Sequence, residues 1–316
     1  MEKTPVISVV VPIYNEEKGL DALFSRLEPI LNQTGESWEI VCVNDGSRDN
    51  SIELLRKHSA RNPNIKTINF SRNFGKEAAM TAGIDYATGN AVIPIDADLQ
   101  DPPELIPEMI KKWREGFKVV LATRNARAGE TFMKKFTANM FYKIIGKIAD
   151  IRIPPNTGDF RLMDKQVIDV IKKLPERNRF MKGIFAWPGF STTTIYFDRD
   201  PRHSGVSAWS FWKLWKFALD GIFAFTSAPL KIWMYIGFAI SLFAFVYALF
   251  LILRTLINGV DLPGYASIMT AVLFLGGIQL ISLGVIGEYI SRIYNESKGR
   301  PIYIVAEAIG FDAEKN

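Results

Sequence analysis

The chain has 316 residues, 48% of them hydrophobic, with a formal net charge of +5 and a single cysteine. That length suffices for one large domain plus a smaller unit, and one cysteine excludes an intrachain disulfide or a thiolate metal cluster. The positive charge suits nucleic acid, anionic lipid or phosphorylated small molecules; an apolar excess toward the C-terminus favours the last two, and no nucleic-acid partner is expected.

The first ten residues lack the basic, apolar, small-residue order of a secretory signal, so the large N-terminal part is expected in the cytoplasm, with Cys42 buried in a strand. Val6 to Val11 is an apolar, β-branched run broken only by Ser8, as expected for a strand covered on both faces of a mostly parallel sheet. Pro12 to Glu17 reads as a loop opening a helix through about Leu31. A second strand, Trp38 to Val43, ends in Asn44-Asp45-Gly46-Ser47, and Asp49-Asn50-Ser51 starts the next helix. Ile65 to Asn69 reads as strand and Gly75 to Ala87 as helix. The apolar run Val92-Ile93-Pro94-Ile95 then stops on Asp96 and Asp98, with Asp101 just beyond and Pro102-Pro103 opening a helix over 102–115. Strands alternating with helices predict a doubly wound α/β sheet, and the polar residues gather after strand ends, where open α/β sheets bind ligands. Two carboxylates two positions apart suit a hard divalent cation that also holds a diphosphate. The same stretch also fits an Asp-rich turn.

Lys118 to Ala122 is the next strand, ending in Thr123-Arg124-Asn125-Ala126-Arg127. Phe132 to Ile148 carries an aromatic-rich apolar stripe flanked by lysines, the pattern of a helix lying on a bilayer surface; a core-facing helix is the alternative. Asn156 to Arg161 reads as a polar insert before another helix, presenting Asp159 on a loop either as a functional acid or as a helix cap. Phe190 to Phe197 reads as an edge strand. Trp209 to Phe225, dense in aromatics with Lys213 and Lys216, reads as an interfacial helix. Ile232 to Leu253 and Tyr265 to Gly287 are uncharged and long enough to cross a hydrocarbon core of about 30 Å. Lys231, Arg292, Lys298 and Arg300 flank one side against Arg254 on the other, so both termini are expected in the cytoplasm of a multi-pass inner (plasma) membrane protein. The expected units are a cytoplasmic α/β domain over 1–208, a juxtamembrane helix over 209–228, two membrane helices over 229–291 (about 230–254 and 265–288) and a tail over 292–316.

Six stretches taken together carry a resemblance: VVVPIYNEE, VNDGSRDNS, FSRNFGKEAAMTAG, IDADLQDPPE, TGDFRLMD and RDPRHSGVS. In that order they resemble the inverting family-two glycosyltransferases of GT-A fold, and more narrowly the polyprenyl-phosphate sugar synthases, which include bactoprenol glucosyltransferases and dolichyl-phosphate mannose synthases. The resemblance implies a Rossmann-like GT-A sheet with helices on both faces, followed by interfacial amphipathic helices and a two-helix transmembrane hairpin. It implies transfer of one hexose, glucose from UDP-glucose being expected, to polyprenyl (undecaprenyl) phosphate at the cytoplasmic membrane face, with inversion and with Mg²⁺ or Mn²⁺. GDP-mannose or a UDP-amino sugar as donor, and a non-catalytic membrane hairpin protein with a nucleotide-sensing domain, stay open beside it. Carried over by motif, Pro12, Tyr14, Glu16, Asp45 and Asp96 fall to the nucleotide, and Asp96 with Asp98 to the metal. Asp159 and Arg161 fall to catalysis, and Arg124, Arg127, Arg199, Arg202 and Ser207 to the acceptor phosphate. A lipid phosphate is already an anion near neutral pH, so Asp159 is expected to orient the acceptor or to stabilise charge on the sugar. The expected partners are the nucleotide sugar, the lipid phosphate, the bilayer and further copies of the chain. The pattern departs at Asn44, where the family usually has Asp, and at Ala208, where it usually has Lys.

Overall fold

The computed structural model describes residues 6–125, 157–177, 179–198, 226, 228–258 and 264–311. Arg127, Arg199, Arg202, Ser207, Ala208 and the two expected interfacial helices, 132–148 and 209–225, lie outside the described residues.

The first half alternates as expected. β1 (Ile7–Ile13), α1 (Leu20–Gln33), β2 (Trp38–Asn44), α2 (Ser51–Arg61), β3 (Ile65–Phe70), α3 (Lys76–Tyr86) and β4 (Ala91–Pro94) are followed by a 3₁₀ turn, then α4 (Ile106–Arg114) and β5 (Val119–Arg124). The second half holds β6 (Thr157–Asp164), α5 (Lys165–Lys173), α6 (Met181–Ala186), β7 (Thr192–Phe197), the long helices α7 (Ala228–Asn258) and α8 (Tyr265–Ser297), and β8 (Val305–Ile309). All eight strands join one sheet in the order β7-β5-β6-β4-β1-β2-β3-β8.

Alternation along β1 divides the interior into two layers. Ile7, Val9, Val11 and Ile13 pack with Leu20, Phe24 and Leu27 of α1 and with Ile106 and Met109 of α4. Val10 faces the other way, into a layer with Ala79 and Ala82 of α3, Ile168 of α5 and Ile184 of α6. The sheet is thus covered on both sides, which is why its central strands consist of apolar residues with little interruption. α3 lies so close to β1 that a Cβ on Gly83 would come within 2.1 Å of Val10 Cγ1. Gly46, at φ +63°, lets the loop after β2 press on the loop after β3, since a Cβ there would stand 2.4 Å from the Arg72 carbonyl carbon.

The strand directions place the site. β1, β2, β3 and β4 run parallel. β6 runs antiparallel to both β4 and β5, and β7 is parallel to β5. The ends of β1 to β5 and of β7 therefore share one edge, and β6 and β8 begin at that edge.

Two expectations are corrected. Asp159 and Arg161 do not lie on a loop: Thr157–Asp164 forms β6, inserted between β4 and β5, because two strands with unpaired backbone need a partner more than the polar sequence needs water. Nor does Asp159 cap the following helix; Asp164 does, accepting from Gln166 N at 2.9 Å. Within the expected tail over 292–316, the chain returns to the sheet. Val305–Ile309 pairs antiparallel with β3, from Thr67 opposite Ile309 to Phe70 opposite Val305, and so covers an edge that would otherwise expose its hydrogen-bonding groups. Tyr303 stacks on Phe70 with centroids 5.2 Å apart and donates to Asp85 Oδ2 at 2.9 Å. Phe311 meets Tyr86 edge-on at 5.1 Å, and Arg56 pairs with Glu307 at 2.6 Å.

α7 and α8 have 31 and 33 residues, about 46 and 50 Å at 1.5 Å per residue, and both are long and apolar enough to cross a membrane. Phe238, Phe243, Phe250, Phe274, Leu280 and Leu283 point outward with most of their surface uncovered by protein, as side chains facing hydrocarbon do. At the end of α8 the chain is fastened to the α/β domain: Glu296 accepts from Arg177 N at 2.9 Å, and the Arg177 guanidinium donates to the Arg300 carbonyl.

Candidate active site

β4 delivers the two strand-end carboxylates. Its ladder continues through Ile95 N, which donates to Val10 O at 2.9 Å, so Asp96 leaves the sheet in a defined direction. The turn that follows is tight: Asp98 Oδ1 accepts from Gln100 N at 3.1 Å, and Leu99 between them has φ +56°, a costly conformation for a leucine, held by the burial of its side chain.

Across from this turn, β6 alternates Phe160 and Leu162 into one layer and Met163 into the other. Asp159 and Arg161 share Met163's side, toward α3 and α6. Lys76, the first residue of α3, joins the two carboxylates: its Nζ lies 2.6 Å from Asp96 Oδ1, 2.9 Å from Asp96 Oδ2 and 2.7 Å from Asp159 Oδ2. Burial would raise the Asp159 pKa, but the Lys76 ammonium overrides it and holds the carboxyl below its ordinary range. Burial also works against charge on Lys76, and the carboxylates of Asp96 and Asp159 more than offset it.

Three further cations approach the same point. Arg161 is buried; that burial brings its guanidinium down to about 10 despite Asp159. It donates to Gly158 O at 2.7 Å and lies over the Phe185 ring at 4.6 Å. Arg124, at the end of β5, donates to buried Asp101 at 3.2 Å, and its guanidinium stands 3.3 Å from where a Cβ on Gly158 would be. Lys182 of α6 has its pKa lowered by burial, against the pull of Asp159.

The β1 and β2 ends are laced together beside this cluster. Asn15, at φ +55°, donates from its N–H to Ser47 Oγ at 2.9 Å and accepts from Arg48 N at 2.8 Å, while Glu16 N donates to Ser51 Oγ at 3.0 Å. Tyr14 is exposed and Pro12 partly so. Asp45 is buried, and its two oxygens accept Phe74 N at 2.6 Å and Gly75 N at 2.9 Å, which ties the start of α3 to the end of β2; burial raises its pKa against those bonds. Asn44, at the family's acidic position, bridges Asn69 and Ser47 at 2.7 and 2.6 Å.

Asp96, Asp159, Arg161 and Arg124 are thus brought into one cluster, with Asp98 on the adjoining turn, and Pro12, Tyr14, Glu16 and Asp45 line the neighbouring strand ends. Sequence reasoning left Lys76, Glu77 and Lys182 without a role. The signal for the first two was a Gly-Lys-Glu start to an otherwise alanine-rich helix; nothing local marked Lys182.

Glu77 accepts from Met181 N at 3.2 Å, and burial, reinforced by Asp159, raises its carboxyl to about 7. An acid whose folded pKa exceeds its unfolded value costs stability as pH rises between the two, here from about 4.5 to 7. Glu77→Gln keeps an oxygen for Met181 N and is expected to gain about 2 kcal/mol at pH 8 and nothing near pH 4.5. Thermal unfolding at both pH values checks this, and an equal gain at both would remove ionisation as the cause.

A mostly parallel sheet with helices on both faces, carboxylates at the ends of its strands and two long apolar helices following match the architecture expected of a glycosyltransferase of GT-A fold. The family model for glycosyl transferase family 2 matches residues 8–172, more than half of the chain, and a GtrB C-terminal hairpin model matches residues 228–293; the chain belongs to glycosyl transferase family 2. It is 60% identical to an uncharacterised glycosyltransferase of Synechocystis sp. over 97% of this chain and 96% of that one. It is 46% identical to the bactoprenol glucosyl transferase of Shigella phage SfV over 95% and 97% of the two chains. Among solved structures, a mannosyltransferase of Pyrobaculum calidifontis in complex with GDP-Man and Mn²⁺ is 14% identical, with TM-score 0.47 over 94% of this chain and 87% of that one.

Proposed function

We propose that the chain transfers one glucose from UDP-glucose to undecaprenyl phosphate, with inversion, at the cytoplasmic face of the inner (plasma) membrane. One observation carries the reading: the Asp96–Lys76–Asp159 cluster lies at the sheet edge where β7 ends, before the chain goes on to α7, and where β8 begins after leaving α8. The chain leaves the sheet before the apolar hairpin and rejoins it after the hairpin at the same edge that carries the carboxylates, which suits an acceptor head group presented from a bilayer. The bactoprenol glucosyl transferase relatives support the sugar and the lipid, and the distribution of Lys and Arg around the hairpin supports cytoplasmic termini.

The donor diphosphate would sit at the turn of Asp96 and Asp98. The residues there fit Mg²⁺ or Mn²⁺: they are hard oxygen donors, and Asp96 already accepts a cation, the Lys76 ammonium, at contact distance. Among the described residues no group of three or more His, Cys, Asp and Glu converges, which suits an ion that takes its remaining ligands from the diphosphate and water. When bound, such an ion supplies positive charge against the departing diphosphate. Pro12, Tyr14, Glu16 and Asp45 border the nucleotide side. Asp159, held ionised by Lys76, orients the acceptor or faces the positive charge that grows on the sugar. Arg161 positions Asp159, and Arg124 offers a fork suited to the acceptor phosphate. Arg127, Arg199, Arg202 and Ser207 are proposed on that side from their motifs alone.

A single displacement brings the acceptor phosphate in opposite the diphosphate, so an α-linked donor gives a β-linked lipid phosphate. Incubating the purified chain with labelled nucleotide sugars and undecaprenyl phosphate, then separating products by thin-layer chromatography, tests the reading. UDP-glucose is expected to label the lipid. No lipid product from any donor would overturn the proposal, and an α-linked product by NMR would overturn the inversion.

A further inference from the structure

The cluster holds a cation of its own between the carboxylate at the end of β4 and the acid on β6. Lys76 follows Gly75, whose φ of +100° is open to glycine and strained for other residues, so the ammonium is delivered from a fixed helix start. Asp45 secures that start by binding Phe74 N and Gly75 N. From there the side chain reaches both Asp96 oxygens and Asp159 Oδ2, while 46% of it stays exposed.

We propose that Lys76 is a positioning residue that competes with the divalent cation for Asp96 and, once displaced, stays on Asp159. This rests on the reading that Asp96 belongs to the metal and donor site. An ammonium and a divalent ion repel each other strongly across one carboxylate, and the flexible, partly exposed lysine stem is the part able to give way. Asp159 is the more enclosed partner, its side chain 16% exposed against 30% for Asp96, so the contact with Asp159 is the less open to exchange with an incoming ion and water and is the one that persists. Before the donor arrives, Lys76 keeps the two acids from repelling one another. Afterwards it holds Asp159 in place from one side. A lysine that merely pinned α3 would act the other way: its loss would loosen the carboxylates and weaken any metal bound there.

The test reads metal binding rather than turnover. Mn²⁺ is titrated into the full-length detergent-solubilised protein with saturating UDP and followed by electron paramagnetic resonance. Lys76→Met is expected to bind Mn²⁺ roughly threefold to tenfold more tightly than wild type, and Lys76→Arg, which keeps the charge, close to wild type. Lys76→Gln should tighten binding as Lys76→Met does and covers the case in which methionine disturbs folding. Equal or weaker binding by both neutral variants overturns the inference and leaves the metal reading intact. No Mn²⁺ binding by wild type, or undiminished binding by Asp98→Ala, overturns the metal reading instead; in the first case the inference falls with it, and in the second it is decided by the neutral variants.

Discussion

Asp98→Ala is expected to lower kcat/KM for sugar transfer by roughly a thousandfold while the protein stays folded. The hydrogen bond from Gln100 N to Asp98 Oδ1 is worth about 1 kcal/mol, a loss the fold can bear. The functional cost is large, because charge developing on a departing diphosphate inside a closed site is stabilised mainly by groups fixed beforehand. Asp98→Asn separates the two effects: it keeps an oxygen for Gln100 N, so its melting temperature should match wild type while transfer is still lost. Wild-type turnover by either variant in Mg²⁺ or Mn²⁺ would remove Asp98 from the metal assignment.

Ending the chain at Gly299 is expected to destabilise the α/β domain by about 3 to 5 kcal/mol. The truncation strips β8 from β3, removes Tyr303 from Phe70 and Phe311 from Tyr86, and deprives Asp85 of the Tyr303 hydroxyl. Asp85 is then left partly buried, with a pKa already raised by that burial. Tyr303→Phe keeps the stack and loses the hydrogen bond, so it should cost about 1 kcal/mol and mark the lower end of the effect. Thermal unfolding with limited proteolysis of β3 checks both. A truncated chain that melts with wild type would mean that β8 adds nothing to the cooperative unit.

The first half of the fold was legible in the sequence because its strands are buried on both faces and each ends in a polar turn. Val9-Val10-Val11 and Ile40-Val41-Cys42-Val43 admit few other readings, and a strand stopping on Asp96 announces where the site lies. β6 was not legible. Gly158 and Asp159 are poor strand residues by local preference; what makes the segment a strand is the pairing offered by β4 and β5, together with partners for its charged groups, Lys76 for Asp159 and the Gly158 carbonyl and Phe185 ring for Arg161. β8 failed for a different reason: Val305-Ala306-Glu307-Ala308-Ile309 is short and its partner is remote in the chain, so its pattern resembles any exposed turn of helix. Lys76 was hidden by its setting, since a lysine opening a helix usually faces water, and only the sheet order brings Asp96 and Asp159 to it.

The remoteness of β8 also sets an order of events during synthesis. Arg56 and Glu307, which face each other across the finished edge, are 251 residues apart, and both apolar helices are made in between. The ribosome releases the central strands first, so β3 waits with an open side while α7 and α8 are made, and the strand that closes it emerges only afterwards. A chain in which just one of the two helices had crossed would leave β8 on the far side of the membrane from its partner. Completion of the sheet thus requires the segment after α8 to lie on the same side as the α/β domain, and a chain with one helix left out would carry a bare strand edge open to proteases.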